Sequence, residues 1–381
     1  MSHPQHHANS PELERISLGF VPLLDAALLI VARERGCFTA QGLDVSLSRE
    51  NAWTTLRDKV AAGLLDGAQM LAPMPLAMSL GLGRAPCETL APLLLSRNGN
   101  TVTLSDALCQ ASGATLGSDP ADSALALGNW LRGKGSGKRP RLAMVYPYSC
   151  QHYQLREWLT LGDIAPDRDV ELVALPPPRM VEALRDGQID GFCAGEPWGT
   201  LARHCEVGRL VTTGAQLWPN HPEKVLGVTR SWAQRYPATL AALLRALRDA
   251  GEWLYASPEH RHQALEWLAL PPYLDRSVRH LQTLAHDEAP TSSSAARTCC
   301  APRRRPRCTS PRPSSGNWKK RVDASTRRCW RLATALCISM PRRTTDVHGR
   351  REPGSSRSHL RSPTSCSLNE ISGVLAFWPG S

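Results

Sequence analysis

The chain has 381 residues, a length that allows two domains or one large two-lobed unit. Its formal charge of +11 suggests at first an anionic partner such as nucleic acid. The charge is uneven, because residues 289–381 hold 18 Lys and Arg against 4 Asp and Glu. The other 27 basic and 30 acidic residues give residues 1–288 a net charge of −3, so direct nucleic-acid binding is not expected of that part.

The start of the chain and its cysteines indicate a compartment. The stretch MSHPQHHANSPELER has no apolar core, so a secretory signal is not expected, and no run reaches the ~18 apolar residues of a membrane span. Residues 1–288 carry six cysteines, none in a C-x-x-C pair. Scattered single thiols favour a reducing compartment over a disulfide framework. We therefore expect a cytoplasmic protein without membrane contact.

The first ordered elements alternate between strand and helix after a disordered N-terminus at residues 1–14. The pattern predicts a buried strand at 15–23, a helix at 25–38, a strand at 43–49, a helix starting near Thr54 and a strand in DGAQMLAP. Asp25 is the expected N-cap of the first helix, and Gly36 is its expected stop. This alternation is typical of a parallel sheet covered by helices.

The same pattern then restarts. Strands are predicted at 141–147, 169–177 and in IDGFCAGEP, with helices at 153–162 and 179–187 between them. Asp66-Gly67 and Asp190-Gly191 fall at the same point of the two units, in a turn before the third strand. Two similar α/β units predict a bilobal, periplasmic-binding-protein-like (type II) fold, with the ligand cleft at the carboxyl ends of the strands.

Domain boundaries follow from this repeat. We assign lobe 1 to residues 15–95, lobe 2 to 96–228 and a return to lobe 1 to 229–288, led by an amphipathic helix at 232–257. Residues 289–381 are rich in Ser, Arg and Pro and have no helical or strand period. Two interpretations compete: a disordered basic arm, or translation of a shifted reading frame. The abrupt change after Pro290 favours the shifted frame.

Catalytic motifs are missing from the sequence. There is no G-x-S-x-G, no H-E-x-x-H, no phosphate-binding P-loop and no dinucleotide fingerprint, and no set of nucleophile, base and orienting residue emerges. The pattern therefore favours a binding protein over an enzyme and predicts no cofactor and no metal.

Several stretches resemble the nitrate/bicarbonate-binding family of ABC-transporter solute-binding proteins, in order from residue 15 to about 285. They are LGFVPLLDAALLIVARERGCF, AWTTLRDK, DGAQMLAPMPLAM, NGNTVTLS, VALPPPRMVEALRDGQIDGFCAGEPW and LWPNHPEKVLGV. LSRENAWTTLRDKVAAGLLDGAQMLAPMPLAMSLGLG and LLLSRNGNTVTLS resemble most the cytoplasmic nitrate/nitrite sensors that partner an RNA-binding antiterminator. The resemblance implies a sensor that regulates nitrate-assimilation genes through that partner. The alternative is the solute-binding subunit of a nitrate ABC transporter. A thiamine-pyrimidine-type biosynthetic enzyme on this fold would need a catalytic His/Lys/Cys set, which we do not find.

The resemblance also implies a set of oxyanion-binding positions. Lys224 corresponds to the charged contact of the family, and a Trp at position 53 corresponds to its binding turn. The family usually has His where this chain has Gln151, so either the neighbouring His152 substitutes or the amide donates instead. The positions carried over are Trp53, Thr54, Thr55, Asn100, Gln151, His152, Pro177, Ala194 and Lys224. Nitrate is planar and only accepts hydrogen bonds, so an ammonium, neutral donors and an indole suit it.

Overall fold

The computed structural model describes residues 10–133, 137–279 and 281. The predicted tail at 289–381 and most of the predicted N-terminal segment lie outside the described residues. The strands are β1 (Arg15–Phe20), β2 (Asp44–Arg49), β3 (Gly67–Leu71), β4 (Thr89–Arg97), β5 (Asn100–Ser105), β6 (Arg141–Met144), β7 (Glu171–Ala174), β8 (Gly191–Gly195), β9 (Gly208–Thr213) and β10 (Pro222–Thr229).

The α-helices are α1 (Ala27–Glu34), α2 (Cys37–Ala40), α3 (Trp53–Ala61), α4 (Met74–Ser79), α5 (Asp106–Ser112), α6 (Pro120–Gly133), α7 (Cys150–Leu161), α8 (Met180–Arg185), α9 (Trp198–His204), α10 (Gly214–Leu217), α11 (Arg230–Arg235), α12 (Pro237–Ala256) and α13 (Pro258–Ala269). The part of the chain that the structure describes contains no helix with the length and apolarity needed to cross a bilayer.

Two five-stranded sheets have matching topologies. The first has the order β2-β1-β3-β10-β4 and the second the order β7-β6-β8-β5-β9. In each sheet the first three strands are parallel, and the fourth runs antiparallel to its neighbours. The predicted two-lobed α/β fold is confirmed, while the sheets are mixed rather than wholly parallel.

The two Asp-Gly turns perform the same structural task in both lobes. Asp66 accepts a hydrogen bond from the Ser17 backbone N–H at 2.8 Å, and Asp190 accepts one from the Arg141 N–H at 2.7 Å. Each aspartate therefore connects the start of the third strand to the neighbouring parallel strand through a hydrogen bond. The glycine that follows has no room for a side chain, since a Cβ on Gly191 would lie 2.6 Å from Leu104 Cδ2.

The chain returns to the first lobe earlier than the sequence indicated. The sequence analysis assigned residues 96–228 to lobe 2, but β10 lies in the first sheet, between β3 and β4. The crossing therefore occurs just before Pro222. Local sequence could not predict this crossing point, because β10 pairs with strands that lie more than 120 residues earlier in the chain.

Helices from both ends of the described chain cover the first sheet. Buried side chains of α1, α12 and α13 pack into one core with β1, including Leu29, Leu243 and Leu265. The helix predicted at 232–257 is divided into α11 and α12. Pro237 causes the break, because the residue before a proline is disfavoured in the α conformation, and Tyr236 has φ −128° and ψ 58°.

We expect Gly191→Ala to lower the free energy of unfolding by about 1–3 kcal/mol, because the added methyl overpacks the contact between β8 and β5. Urea denaturation followed by circular dichroism measures the change. Gly117→Ala is the matched control, since its Cβ would lie 3.8 Å from the nearest atom. Equal stability of the two variants would contradict this account of the turn.

Candidate functional site

Two polar residues occupy equivalent places in the two lobes. Lys224 on β10 pairs with Leu71, the last residue of β3, and Asn100 on β5 pairs with Gly195, the last residue of β8. Both side chains are fully buried. They therefore lie at the carboxyl ends of parallel strands, where open α/β sheets bind their ligands.

The Lys224 ammonium lies between two carboxylates. Its Nζ is 2.6 Å from Asp25 Oδ2 and 2.7 Å from Glu223 Oε1, and it lies 5.6 Å from the centroid of the Trp53 ring. Burial alone would lower the pKa of Lys224, but the charges of Asp25 and Glu223 raise it. The ammonium therefore stays protonated despite its burial.

The two carboxylates differ in their surroundings. Burial raises the pKa of Asp25, opposed by Lys224. Burial also acts against ionisation of Glu223, but Lys224 and His221 overcome it and hold the pKa of Glu223 at about 2. The family resemblance predicts Lys224 as the charged contact for an anion. In the structure its charge is already balanced.

Buried amides complete the hydrogen bonding of Glu223. Asn100 Nδ2 donates to Glu223 Oε2 at 2.7 Å, and Gln151 Nε2 donates to Glu223 Oε1 at 2.6 Å. Gln151 Nε2 also donates to Asn100 Oδ1, and Asn100 Nδ2 donates to Gln154 Oε1. Asn100, Gln151 and Gln154 belong to lobe 2, so this network ties the second lobe to the strand that carries Lys224.

Some buried polar atoms of this region have no hydrogen-bond partner among the described residues. They include Trp53 Nε1, Gln151 Oε1 and Trp198 Nε1. No side chain caps the N-terminus of α3, which begins at Trp53. A buried donor without an acceptor costs about 1–3 kcal/mol, so the indole N–H of Trp53 is a strong candidate for ligand contact.

The structure brings together four of the nine predicted positions. Trp53, Asn100, Gln151 and Lys224 meet in the buried network. Thr54 and Thr55 are exposed on α3, and His152 directs Nδ1 at the Pro147 carbonyl. The buried Pro177 begins a 3-10 turn, and Ala194 pairs with Thr101 inside the second sheet. Of the two residues that the sequence left open, it is Gln151 that joins the network.

Sequence reasoning missed Asp25, Gln69, His221 and Glu223. Asp25 was predicted as an N-cap, but α1 begins after Ala26 without a side-chain cap, and Asp25 accepts hydrogen bonds from Lys224 and Gln69 instead. A signal was present, because Gln69 and the Glu223-Lys224 pair interrupt strands that are otherwise apolar. Polar residues inside buried strands need partners.

Glu196 joins the lobes beside this network. Its backbone carbonyl accepts from the Leu24 N–H at 3.0 Å, which connects the end of β8 to the turn that carries Asp25. Its carboxylate is buried and accepts from the Thr200 N–H at 3.0 Å. Burial raises the pKa of Glu196 to about 7, against the effect of that hydrogen bond.

Solved structures share this architecture. The periplasmic nitrate-binding protein NrtA from Synechocystis PCC 6803 superposes with a TM-score of 0.66 at 29% identity, covering 71% of this chain and 70% of that one. The alkanesulfonate-binding protein SsuA from Xanthomonas axonopodis pv. citri gives 0.51 at 18% identity, covering 71% and 84%, which supports the fold alone. The fold is therefore that of the two-lobed, periplasmic-binding-protein-like class.

The family follows from the sequence match. The chain belongs to the NMT1-like family, which matches residues 9–269. It is 42% identical over 275 residues to the nitrate import ATP-binding protein NrtC of Synechocystis sp., covering 72% of this chain and 40% of that protein. It is 32% identical to the nitrate/nitrite binding protein NrtA of Nostoc sp. (65% and 56% covered) and 33% identical to the bicarbonate-binding protein CmpA of Synechococcus elongatus (65% and 55% covered). The chain thus spans about two fifths to just over half of these relatives.

We expect Glu196→Gln to make unfolding less dependent on pH. Glu196 is protonated in the fold up to a pKa of about 7, against an ordinary value of 4.5. Burial of Glu196 therefore costs no folding stability below pH 4.5. The cost grows as the pH rises from 4.5 to 7 and reaches about 3 kcal/mol above pH 7. The variant should gain stability over the parent as pH rises through this window.

Urea unfolding of both proteins at pH 5 and pH 8 measures this difference. Glu182→Gln, at an exposed position of α8, is the control and should show no comparable gain. A constant difference between parent and Glu196→Gln at the two pH values would contradict the assignment.

Proposed function

We propose that this chain binds a small planar oxyanion, nitrate or nitrite, between its lobes. The observation that carries the proposal is the buried indole N–H of Trp53, which has no acceptor among the described residues and belongs to the ring beside the Lys224 ammonium. An acceptor-only anion at this place would accept from both groups. The relatives named for nitrate or nitrite support the choice of ligand.

Entry of nitrate requires a rearrangement at Lys224. The ammonium already contacts Asp25 and Glu223, and a third negative charge at the same place is repelled by both carboxylates. We expect Asp25 rather than Glu223 to lose its contact with Lys224. Burial raises the pKa of Asp25, whereas two amides donate hydrogen bonds to Glu223. Displacement of Asp25 from Lys224 would let the anion take its place against the ammonium.

Bicarbonate is a second candidate, and the same two carboxylates favour it. Bicarbonate carries an O–H group that can donate to a carboxylate, whereas nitrate has no donor. A site with Asp25 and Glu223 next to Lys224 offers both an acceptor and a donor to such a ligand. Relatives named as bicarbonate-binding proteins support this candidate.

We expect Trp53→Phe to weaken nitrate binding roughly tenfold, because one buried hydrogen bond of about 1–1.5 kcal/mol is lost while the aromatic ring remains. Isothermal titration with nitrate, nitrite and bicarbonate measures the effect. Trp158→Phe is the control, because that indole is equally buried but donates to Ser123 within lobe 2. Unchanged nitrate affinity in Trp53→Phe would remove Trp53 from the site, and tighter binding of bicarbonate than of nitrate would favour the second candidate.

For the biological role, the sensor hypothesis remains a proposal, supported by the sequence resemblance to antiterminator-binding sensors. A ligand shifts a partner equilibrium only if it prefers one arrangement of the lobes. Nitrate at ~100 times its dissociation constant would supply about 2.7 kcal/mol if it binds one arrangement only. The alternative role is that of a binding module in a nitrate ABC transporter, a role compatible with relatives named as import ATP-binding proteins.

We expect the chain to bind an RNA-binding antiterminator without nitrate and to lose roughly a hundredfold in affinity at saturating nitrate, since 1.4 kcal/mol is tenfold. Gel filtration across a nitrate titration measures the complex. Chloride at equal ionic strength is the control. A complex that forms equally with and without nitrate, or none at all, would contradict the sensor role and leave the transporter role.

A further inference from the structure

Three metal-binding side chains meet where the chain crosses between the lobes. Cys150, His221 and Glu223 are all buried, and their ligand atoms lie within 4.8 Å of one another. Cys150 is the first residue of α7 in lobe 2, and its thiol contacts the Pro222 carbonyl at 3.4 Å. His221 and Glu223 flank Pro222 at the start of β10. Sequence spacing does not reveal this group, because Cys150 is about 70 residues away from the other two.

The hydrogen bonds of His221 define which ring nitrogen faces the group. Nδ1 lies 2.8 Å from the Trp218 carbonyl, which only accepts, so Nδ1 carries a hydrogen. Nε2 is the nitrogen that faces the group, and it lies in hydrogen-bonding contact with Glu223 Oε2 at 3.2 Å. A histidine that ligates a metal usually donates its other N–H to a carbonyl in this way.

This contact places two metal-ligating atoms at nearly the separation that a shared ion requires. Gln154 Nε2 also lies near this point, 3.1 Å from His221 Nε2. Next to Cys150, Gln151 has a buried Oε1 without a partner among the described residues. The close pair of ligand atoms and this buried acceptor without a donor favour a cation in this region.

We propose that Cys150, His221 and Glu223 bind a divalent transition-metal ion of the zinc type. A thiolate, an imidazole and a carboxylate are the donors that zinc takes, at about 2.3, 2.0–2.1 and 2.0–2.2 Å. Tetrahedral angles at these bond lengths put neighbouring ligand atoms roughly 3.3–3.6 Å apart, close to the 3.2 Å between His221 Nε2 and Glu223 Oε2. Calcium and magnesium prefer oxygen ligands and are not expected.

Metal binding releases protons from the ligands. Burial and the nearby Glu223 charge raise the pKa of Cys150, so the free thiol holds its proton. The metal displaces that proton, together with any hydrogen on His221 Nε2, to solvent and takes the thiolate and the imidazole lone pair. The ion would join α7 of lobe 2 to the start of β10, where the chain crosses into lobe 1. This inference goes beyond the proposed anion site and needs no anion for its test.

Cobalt titration of the full chain tests the site. Accessible thiols are first alkylated with iodoacetamide on the folded protein, which leaves the buried Cys150 unmodified, and Co²⁺ is then added. We expect a sulfur-to-cobalt charge-transfer band in the near ultraviolet and tetrahedral d–d bands, both removed by one equivalent of Zn²⁺. Cys150→Ser should lose the charge-transfer band. Cys109→Ser, which removes a buried thiol from α5 in the core of lobe 2, should retain it.

A second variant guards against loss of the fold. His221→Asn leaves the thiol in place and should bind Co²⁺ at least tenfold more weakly, with a circular dichroism spectrum like that of the parent. The proposal is overturned if the parent shows no thiolate–cobalt band. It is overturned equally if the band persists in Cys150→Ser or if His221→Asn binds Co²⁺ as tightly as the parent.

Discussion

The buried ion cluster of Asp25, Glu223 and Lys224 is the constraint on which the rest of the site depends. An ammonium without solvent contact needs opposite charge beside it, and removing one partner of a buried pair costs about 3–5 kcal/mol. Asp25 comes from the first turn of lobe 1, while Glu223 is held by amides of lobe 2. The charge balance of Lys224 is therefore coupled to the relative position of the lobes, and any ligand that alters one alters the other.

The internal repeat explains where this cluster lies. Both lobes place an antiparallel strand beside the carboxyl end of the third parallel strand, and in both the chain enters that strand from the other lobe. The two crossing segments bond to each other, with the Asn98 N–H donating to the His221 carbonyl at 3.1 Å. Asn100 is the first residue of β5 and Lys224 is the third residue of β10. The symmetric architecture therefore carries an asymmetric site, with a charged group on one side and a neutral amide on the other.

Sequence patterns predicted the local features of this fold and missed the long-range ones. The two Asp-Gly turns and the stop at Gly36, which has φ +69°, are encoded by neighbouring residues and were confirmed. Asp25 shows the limit of local patterns. An aspartate before an apolar helical run resembles an N-cap, and the local sequence does not reveal which residue it contacts in the fold. Its partner Lys224 belongs to a strand whose sheet could not be assigned from its own residues. Among the candidate ligand positions, the family resemblance supplied Trp53, Asn100, Gln151 and Lys224, whereas the carboxylates that neutralise Lys224 emerged only from the packing.

Glu223 links the two proposed sites, since it contacts Lys224 through Oε1 and faces His221 through Oε2. A metal ion at Cys150, His221 and Glu223 would draw negative charge toward itself and leave Lys224 less fully compensated. An anion would then meet less repulsion at the ammonium. Coupling of this kind is reciprocal, so an anion at Lys224 would strengthen metal binding by the same factor. A single carboxylate that contacts both sites thus suffices to make the binding of one ligand sensitive to the other.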